Sequence, residues 1–364
     1  MIVAEIWSVI CSTLVPRLEE CLDDTLTPKL KQLVGILEIV RIEEHIPPDP
    51  PHKMGRKRED RRLLARAFVA KAVYNLTTTQ MLLEMLHLQP SLRRICGFAK
   101  RADIPSSATF SRAFLEFANQ KLADTVHAAL VQTYVGDLVV MHLSRDATEI
   151  VAREKPAKKP KKEQKQKKKR GRRKQGEPAP EPEPTRLQKQ REQSLKEALD
   201  ALPYVCDVGT KTDSKGHKRS WVGWKAHIDW ADGAFPLSVV TTSASLHDSQ
   251  VAIPMTRLTA QRVLSLYDLM DSAYDAALIH QTSQEVGHRP LIDANPRRGE
   301  KVPFDPAMAL RYRERTTAER GNSRLKEDFG CRHLRVRGHA KAHLHVMFGI
   351  LALFADQLLK GLSG

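Results

Sequence analysis

The chain has 364 residues, 59 Lys+Arg against 43 Asp+Glu, a formal charge of +16 and 41% hydrophobic residues. That length allows about two domains, and the composition excludes collagen-like, fibrous coiled-coil and disulfide-rich secreted classes. The charge points to a polyanion, either nucleic acid or an acidic membrane surface. Cysteines at 11, 21, 96, 206 and 331 form no CxxC pair and no metal spacing, which fits a reduced cytoplasmic protein.

The first fifty residues are acidic, with nine Asp/Glu against four Lys/Arg. Their opening, MIVAEIWSVICSTLVP, is apolar without a basic leader or a small-residue cleavage site, so it reads as a helix and not as a signal peptide. Up to residue 130 the pattern is helical throughout. Arg61–Tyr74 has apolar residues at helical spacing, Thr77–Leu88 follows a run of capping threonines, a short helix runs from Pro90 or Ser91 to near Gly97, and Ser106–Ala118 opens on capping serines. Arg93, Arg94, Lys100 and Arg101 flank one of these helices. The region therefore reads as a helix-turn-helix-like DNA reader or as a packing and dimerisation module, and the residues leave both open.

After 130 the pattern turns to strands and then to alternating strands and helices, which indicates a mixed α/β domain over 131–362. Strands are expected at Asp137–Leu143, Ser220–Asp229, Phe235–Thr242, Leu264–Leu269 and Arg289–Ala294. Helices are expected from His247 to about Leu258, with Asp248 as the cap, over Tyr274–Thr282, and from about 308 and 340. The ten-residue apolar run Val346–Ala355 is half the length of a membrane span, so it reads as a buried helix. Between the first two strands, Arg153–Lys174 carries fourteen Lys/Arg and two Glu, followed by the Pro/Glu stretch QGEPAPEPEPT. Like charge this dense, with no apolar surface, predicts an unpacked insertion over roughly 152–200. It either draws in DNA through counterion release or is a plain solvated loop.

Three acids stand out: Asp146 after the first strand, Asp271 ending the fourth, and Glu319 in a basic helix. Acids at strand ends gather where α/β active sites form, and three converging carboxylates bind Mg²⁺ or Mn²⁺. Singly, an Asp after a strand is also an ordinary turn or helix cap. Tyr312, Arg315, Glu319 and Lys326, spaced three, four and seven apart, fall within an arc of about 60° on one helix. That face sets a carboxylate among cations and a phenol, as DNA cleavage requires. An exposed helix with salt bridges such as Arg315–Glu319 has the same pattern. His333, His339, His343 and His345 lack Cys or acidic partners and read as surface or DNA-facing, and His247 as a turn residue. Trp221 and Trp224 read as sheet packing. CDVGTKTDSKGHK has no phosphate-loop pattern, so no nucleotide cofactor is expected.

Tyr312-x₂-Arg315-x₃-Glu319-x₆-Lys326 resembles the Y-R-E-K signature of bacterial DDE insertion-sequence transposases. Other pieces resemble that family in order: Asp146-Ala147-Thr148, Trp224-Lys225-Ala226-His227, His247-Asp248-Ser249 and Asp271-Ser272-Ala273-Tyr274-Asp275. Gly55 to about Ala118, including Ile104-Pro105-Ser106 and Phe110-Ser111-Arg112, resembles its helical N-terminal domain. The first fifty residues find no clear match there, and the Lys-rich insertion after Asp146 is longer and more basic than that family leads one to expect. The resemblance implies a ribonuclease-H-like mixed sheet after an all-helical DNA-binding or dimerisation domain over 1–130. It implies Asp146, Asp271 and Glu319 as ligands of two Mg²⁺ or Mn²⁺ ions, with strand cleavage followed by strand transfer. Tyr312, Arg315 and Lys326 are then expected at the cleaved end, with Arg112, Lys168, Arg170, Arg320 and Arg324 as further DNA contacts. The implied partners are double-stranded DNA (terminal inverted repeats and target) and a second copy of the chain on DNA, in the bacterial cytoplasm at the nucleoid and away from membranes. A decayed or repurposed DNA-binding relative and a stand-alone nuclease are the rival readings.

Overall fold

A computed structural model describes residues 26–48, 58–158, 183–212, 216–295 and 303–363. The helical part comprises α1 (Pro28–Val40), α2 (Arg61–Val73), α3 (Thr79–Leu88), α4 (Pro90–Ile95), α5 (Ser107–Asn119) and α6 (Leu122–Tyr134). The capping residues set the starts: the Thr78 hydroxyl accepts from the Met81 amide at 3.1 Å, and the Ser106 hydroxyl from Thr109 at 3.4 Å. Each cap satisfies a donor that the first helical turn leaves open. Arg93, expected to flank a DNA reader, is instead buried and donates to the Leu86 carbonyl.

The sheet consists of β1 (Val139–Ala152), β2 (Asp207–Thr212), β3 (Lys218–Ala231), β4 (Phe235–Ser243), β5 (Leu264–Met270), β6 (Arg289–Ile292) and the short β7 (His333–Leu334). β3 pairs antiparallel with β1, β2 and β4, while β5 and β6 continue from β1 in parallel. An antiparallel set followed by parallel strands is the mixed sheet expected of a ribonuclease-H-like core. β1 is longer than the apolar run implied, because polar residues beyond Leu143 still pair with β3. β2, in the Gly- and Thr-rich stretch expected only to lack a nucleotide site, forms a hairpin with β3.

One face of the sheet carries α9 (Ala252–Ala260), reached through a 3₁₀ turn at Asp248–Val251, and next to it α10 (Ala277–Glu285). The other face carries α12 (Thr316–Glu327), which follows α11 (Pro306–Tyr312) and a 3₁₀ turn at Arg313–Arg315. The last helix, α13 (His339–Ser363), contains the apolar run. It is apolar enough to cross a membrane, yet 78% of its apolar window is buried inside the fold. It packs on α1, α2, α5, α6 and β4, with Phe348 against Phe68 and Phe114. One hydrophobic core thus runs from the N-terminal helices into the sheet.

Two expectations are corrected by packing. The stretch expected to be unpacked as far as residue 200 contains α7 (Arg186–Glu192) and α8 (Leu195–Asp200), both seated on α9. Arg257 of α9 donates to the carbonyls of Gln190, Arg191 and Gln193, which supplies the anchorage that their weak apolar periodicity did not suggest. The histidines of the C-terminal stretch are not surface groups, apart from the exposed His333. His343 bonds Asp124 of α6 and Thr241 of β4, His339 bonds the Thr241 carbonyl, and His345 bonds the Gly330 carbonyl. They tie the start of α13 to its neighbours. Trp221 and Trp224 are buried in the sheet as expected.

Candidate active site

β1 and β5 run parallel with Val139 opposite Leu264 and Ser144 opposite Leu269. Continuing that register by two residues sets Asp146 level with Asp271. Asp146 is not beyond its strand: it lies within β1 and is paired with Ile228. β5 ends one residue before Asp271, which caps the 3₁₀ turn Ser272–Tyr274 by accepting from the Ala273 amide at 2.9 Å. Burial pushes the Asp146 carboxyl up to about 6; Lys211 and Arg315 oppose the shift and Asp271 adds to it. Burial raises Asp271 as well, with Asp248 adding and Arg315 and Lys211 opposing. Two crowded carboxylates resisting ionisation make a site that favours a cation.

The approach of α12 is set by Gly321. A Cβ there would stand 2.6 Å from the Trp230 ring of β3, so any other residue would push the helix off the sheet. The next residue, Asn322, is 4% exposed and donates its Nδ2 to Asp146 Oδ2 at 2.9 Å. Its Oδ1 is buried with no hydrogen-bond partner among the described residues. On the same face of β1, the Ser144 hydroxyl donates to the Glu314 carbonyl.

The expected single helix bearing Tyr312, Arg315, Glu319 and Lys326 is interrupted, because the 3₁₀ turn separates Tyr312 from α12. Its members nonetheless adjoin one another. The Tyr312 hydroxyl donates to the carbonyl of Met270, the residue before Asp271, and burial pushes this phenol up to about 12. The Arg315 guanidinium lies 6.0 Å from the Tyr312 ring centroid and donates to Glu319 at 2.7 Å. Burial works against its charge, but Tyr312, Glu319 and Asp146 hold it above its ordinary value. Burial lowers Lys326, with Glu149 and Asp146 among the charges that act on it.

Glu319 departs from the expectation of three converging carboxylates. Its side chain is 56% exposed and ion-paired to Arg315. Among the described residues, no group of three or more His, Cys, Asp or Glu is arranged to hold an ion. The structure therefore brings together Asp146 and Asp271, with Arg315 beside them and Glu319 on its outer side. Asp248, expected as a helix cap, instead accepts an ion pair from Lys225 at 2.8 Å, and His247 takes the cap position. His227 is buried against Thr242, and burial pushes it down to about 4, so it is an uncharged packing residue.

The remaining expected DNA contacts are scattered. Arg320 is exposed on α12, with one bond to Thr317. Arg324 turns to α13 and pairs with Asp356, which makes it a link between helices in place of the expected DNA contact. Arg112 lies on α5 and, with Arg58, Arg61 and Arg62, lines an open cleft of about 1310 Å³ in the helical part. Lys168 and Arg170 lie outside the described residues. Sequence reasoning missed Lys211, Asn322 and Tyr274. Lys211 comes from the unexpected strand β2, and Asn322 is an ordinary polar residue until α12 is docked. Tyr274 is buried near Asp146, Asp271 and Asp248 with its hydroxyl unpartnered among the described residues; in the sequence it is only one member of the Asp271–Asp275 block.

Two known protein families match the sequence: a transposase DDE domain over residues 204–355 and a transposase domain (DUF772) over residues 17–115. Asp146 falls between the two matched stretches. No curated protein and no solved structure matches the chain.

Proposed function

Because the chain belongs to the DDE insertion-sequence transposases, we propose that it cuts the ends of its element and joins them to target DNA by phosphoryl transfer beside Asp146 and Asp271. The observation that carries this reading is the parallel register of β1 and β5, which sets two partly buried aspartates level, with Arg315 of the 3₁₀ turn and Lys326 of α12 near them. Their oxygen donors and raised pKa values suit Mg²⁺ or Mn²⁺. Asp146 and Asp271 would hold the ions, with Glu319 as the third carboxylate. Bound there, divalent cations supply the charge that activates a nucleophile and steadies a leaving oxygen.

The chain's own residues supply the positioning. Arg315, Lys326 and Lys211 offer cations to the non-bridging oxygens of the scissile phosphate. Tyr312, fixed to the end of β5 through Met270, holds its ring against Arg315 for a terminal phosphate or a displaced base. In the first step the oxygen of a water attacks phosphorus and the P–O3′ bond breaks, giving a 3′-hydroxyl and a 5′-phosphate. In the second, that 3′-hydroxyl attacks another phosphodiester, one P–O bond replacing another with no covalent enzyme intermediate. Two element ends cut together call for two copies of the chain on DNA, at the nucleoid. A second reading, a DNA-binding protein without cleavage, is favoured by one observation: Glu319 is held by Arg315 apart from the aspartates.

The test uses the purified chain and duplex DNA carrying the inverted repeats that bracket its reading frame. Cleavage at the repeat ends and joined products, both dependent on Mg²⁺ or Mn²⁺, are expected. Full cleavage by Asp271→Ala would remove the ligand assignment, and DNA binding with no metal-dependent cleavage would favour the second reading.

A further inference from the structure

We infer that Asn322 is a positioning residue of the cation site: its amide nitrogen fixes one oxygen of Asp146, and its amide oxygen accepts a hydrogen bond from a water in the cation's shell. The inference rests on the reading of Asp146 and Asp271 as cation ligands. Three independent observations support it. The Nδ2-to-Oδ2 bond spans 2.9 Å, and only the nitrogen of the amide can donate to a carboxylate. The side chain is 4% exposed, and its Oδ1 is buried without a partner among the described residues. Set beside Asp146, this open acceptor can take a hydrogen bond from a water. Finally, the backbone has been brought there by a steric device, since Gly321 alone permits the contact of α12 with Trp230.

Chemistry explains why an asparagine occupies this position. Asparagine is a middling helix former that competes with the backbone for hydrogen bonds, so its place inside α12 is not explained by local propensity. An aspartate of the same shape would bring a third acceptor against Asp146, and a leucine would leave Asp146 Oδ2 without its donor. Ala318 and Leu325, buried on the same helix, keep this face of α12 turned inward, so the amide cannot swing away. Asp146 is thereby oriented before any cation arrives. Partners of metal-ligating carboxylates act in this way, and their loss typically weakens metal binding by about 10–100-fold.

The experiment is a calorimetric Mn²⁺ titration of the full-length chain and of Asn322→Leu, Asn322→Ala and Ser323→Ala. Leucine keeps the branched outline without the amide's donor and acceptor, and Ser323 is an exposed neighbour on the same helix. The Mn²⁺ dissociation constant should rise about 10–100-fold in both Asn322 variants and stay unchanged in Ser323→Ala. Excess Mn²⁺ should restore DNA cleavage to the Asn322 variants but not to Asp146→Ala. Folded Asn322 variants that bind Mn²⁺ within about twofold of the unsubstituted chain would overturn the inference while leaving the cation site itself intact. An unsubstituted chain that binds no Mn²⁺ would overturn the site and the inference together. A readout independent of variant folding is the side-chain amide resonance of Asn322 in ¹⁵N-asparagine-labelled protein. It should shift with Mg²⁺ at the binding midpoint, and an unmoved resonance would equally overturn the inference.

Discussion

Replacing Arg145 with methionine should destabilise the chain severely although Arg145 touches no expected ligand. Arg145 precedes Asp146 on β1 and points to the opposite face, where its side chain is 2% exposed and that of its partner Asp229 is 0% exposed. Its Nε and Nη2 donate to the two Asp229 oxygens at 2.7 and 2.8 Å, and its Nη1 donates to the Thr256 hydroxyl at 2.8 Å and the Ala252 carbonyl at 3.1 Å. Thr259 completes the set by donating to Asp229 at 2.6 Å. Burial works against the guanidinium charge, yet the Asp229 carboxylate holds Arg145 above its ordinary value. Arg145→Met leaves the buried Asp229 carboxyl with Thr259 as its one side-chain donor among the described residues. Breaking a buried pair from one side costs about 3–5 kcal/mol. At about 2–4 °C per kcal/mol, the melting temperature should fall by roughly 6–20 °C. Thermal melts followed by circular dichroism without added metal measure this directly. Arg145→Met/Asp229→Leu should recover much of the loss, because apolar residues can replace a buried pair when both charges leave. A single variant melting within about 2 °C of the unsubstituted chain, or a double variant no better than the single, would refute the reasoning.

Three further outcomes follow from the site and its surroundings. Since Asp146 is raised from 3.8 to about 6, the folded chain binds more protons than the unfolded chain between those values. Its metal-free stability should therefore fall as pH rises through that window, and Asp146→Asn should flatten this slope in denaturant titrations; equal slopes would contradict the shift. Gly321→Ala should cost about 1–3 kcal/mol through collision with Trp230 and should weaken Mn²⁺ binding, while Trp230→Leu in the same chain should relieve the collision; melts and calorimetry report both. Deleting 159–182, which spares α7 and α8, removes eleven Lys/Arg. It should flatten the salt dependence of nonspecific DNA affinity while metal-dependent cleavage persists.

What the sequence made legible followed from local chemistry. Thr78 and Ser106 announced helix starts because a hydroxyl before an apolar-periodic run has one common use. β4 and β5 were bounded within a residue or so because apolar runs between turn residues have few other solutions. Asp146 and Asp271 stood out in the sequence because each closely follows an apolar run, although Asp146 lies inside β1 and not past its end. What failed was whatever depends on a distant partner. The anchorage of α7 and α8 comes from Arg257, some sixty residues away in the chain. The C-terminal histidines look solvent-facing until Asp124 and Thr241 are brought to them by the fold. Arg324 and Arg320 have the same local character, yet only Arg324 finds Asp356. Asn322 had no visible role because its significance depends on the Gly321–Trp230 contact, which only the docked helix creates.

The same distinction changes the meaning of the +16 charge. Much of the basic content outside the Lys-rich insertion is engaged within the fold. Arg93, Arg145, Arg257, Arg262 and Arg324 all donate to protein groups that are buried or partly buried. An arginine used in this way adds to the formal charge but offers little field to a phosphate backbone, because its partner already satisfies the fork. Among the described residues, cations that bear on Asp146 and Asp271 come from separate segments: Lys211 from β2, Arg315 from the 3₁₀ turn before α12, and Lys326 from the far end of that helix. Specific affinity for a DNA end should therefore depend on those three side chains, while the insertion governs how strongly nonspecific capture responds to salt. Neutralising Arg315 should lower cleavage of a repeat end with only a small change in the salt slope for random DNA, the reverse of the pattern expected when 159–182 is removed. A common pattern for the two changes would mean that charge acts here only in bulk, and that the geometry around Asp146 does not select the phosphate to be cut.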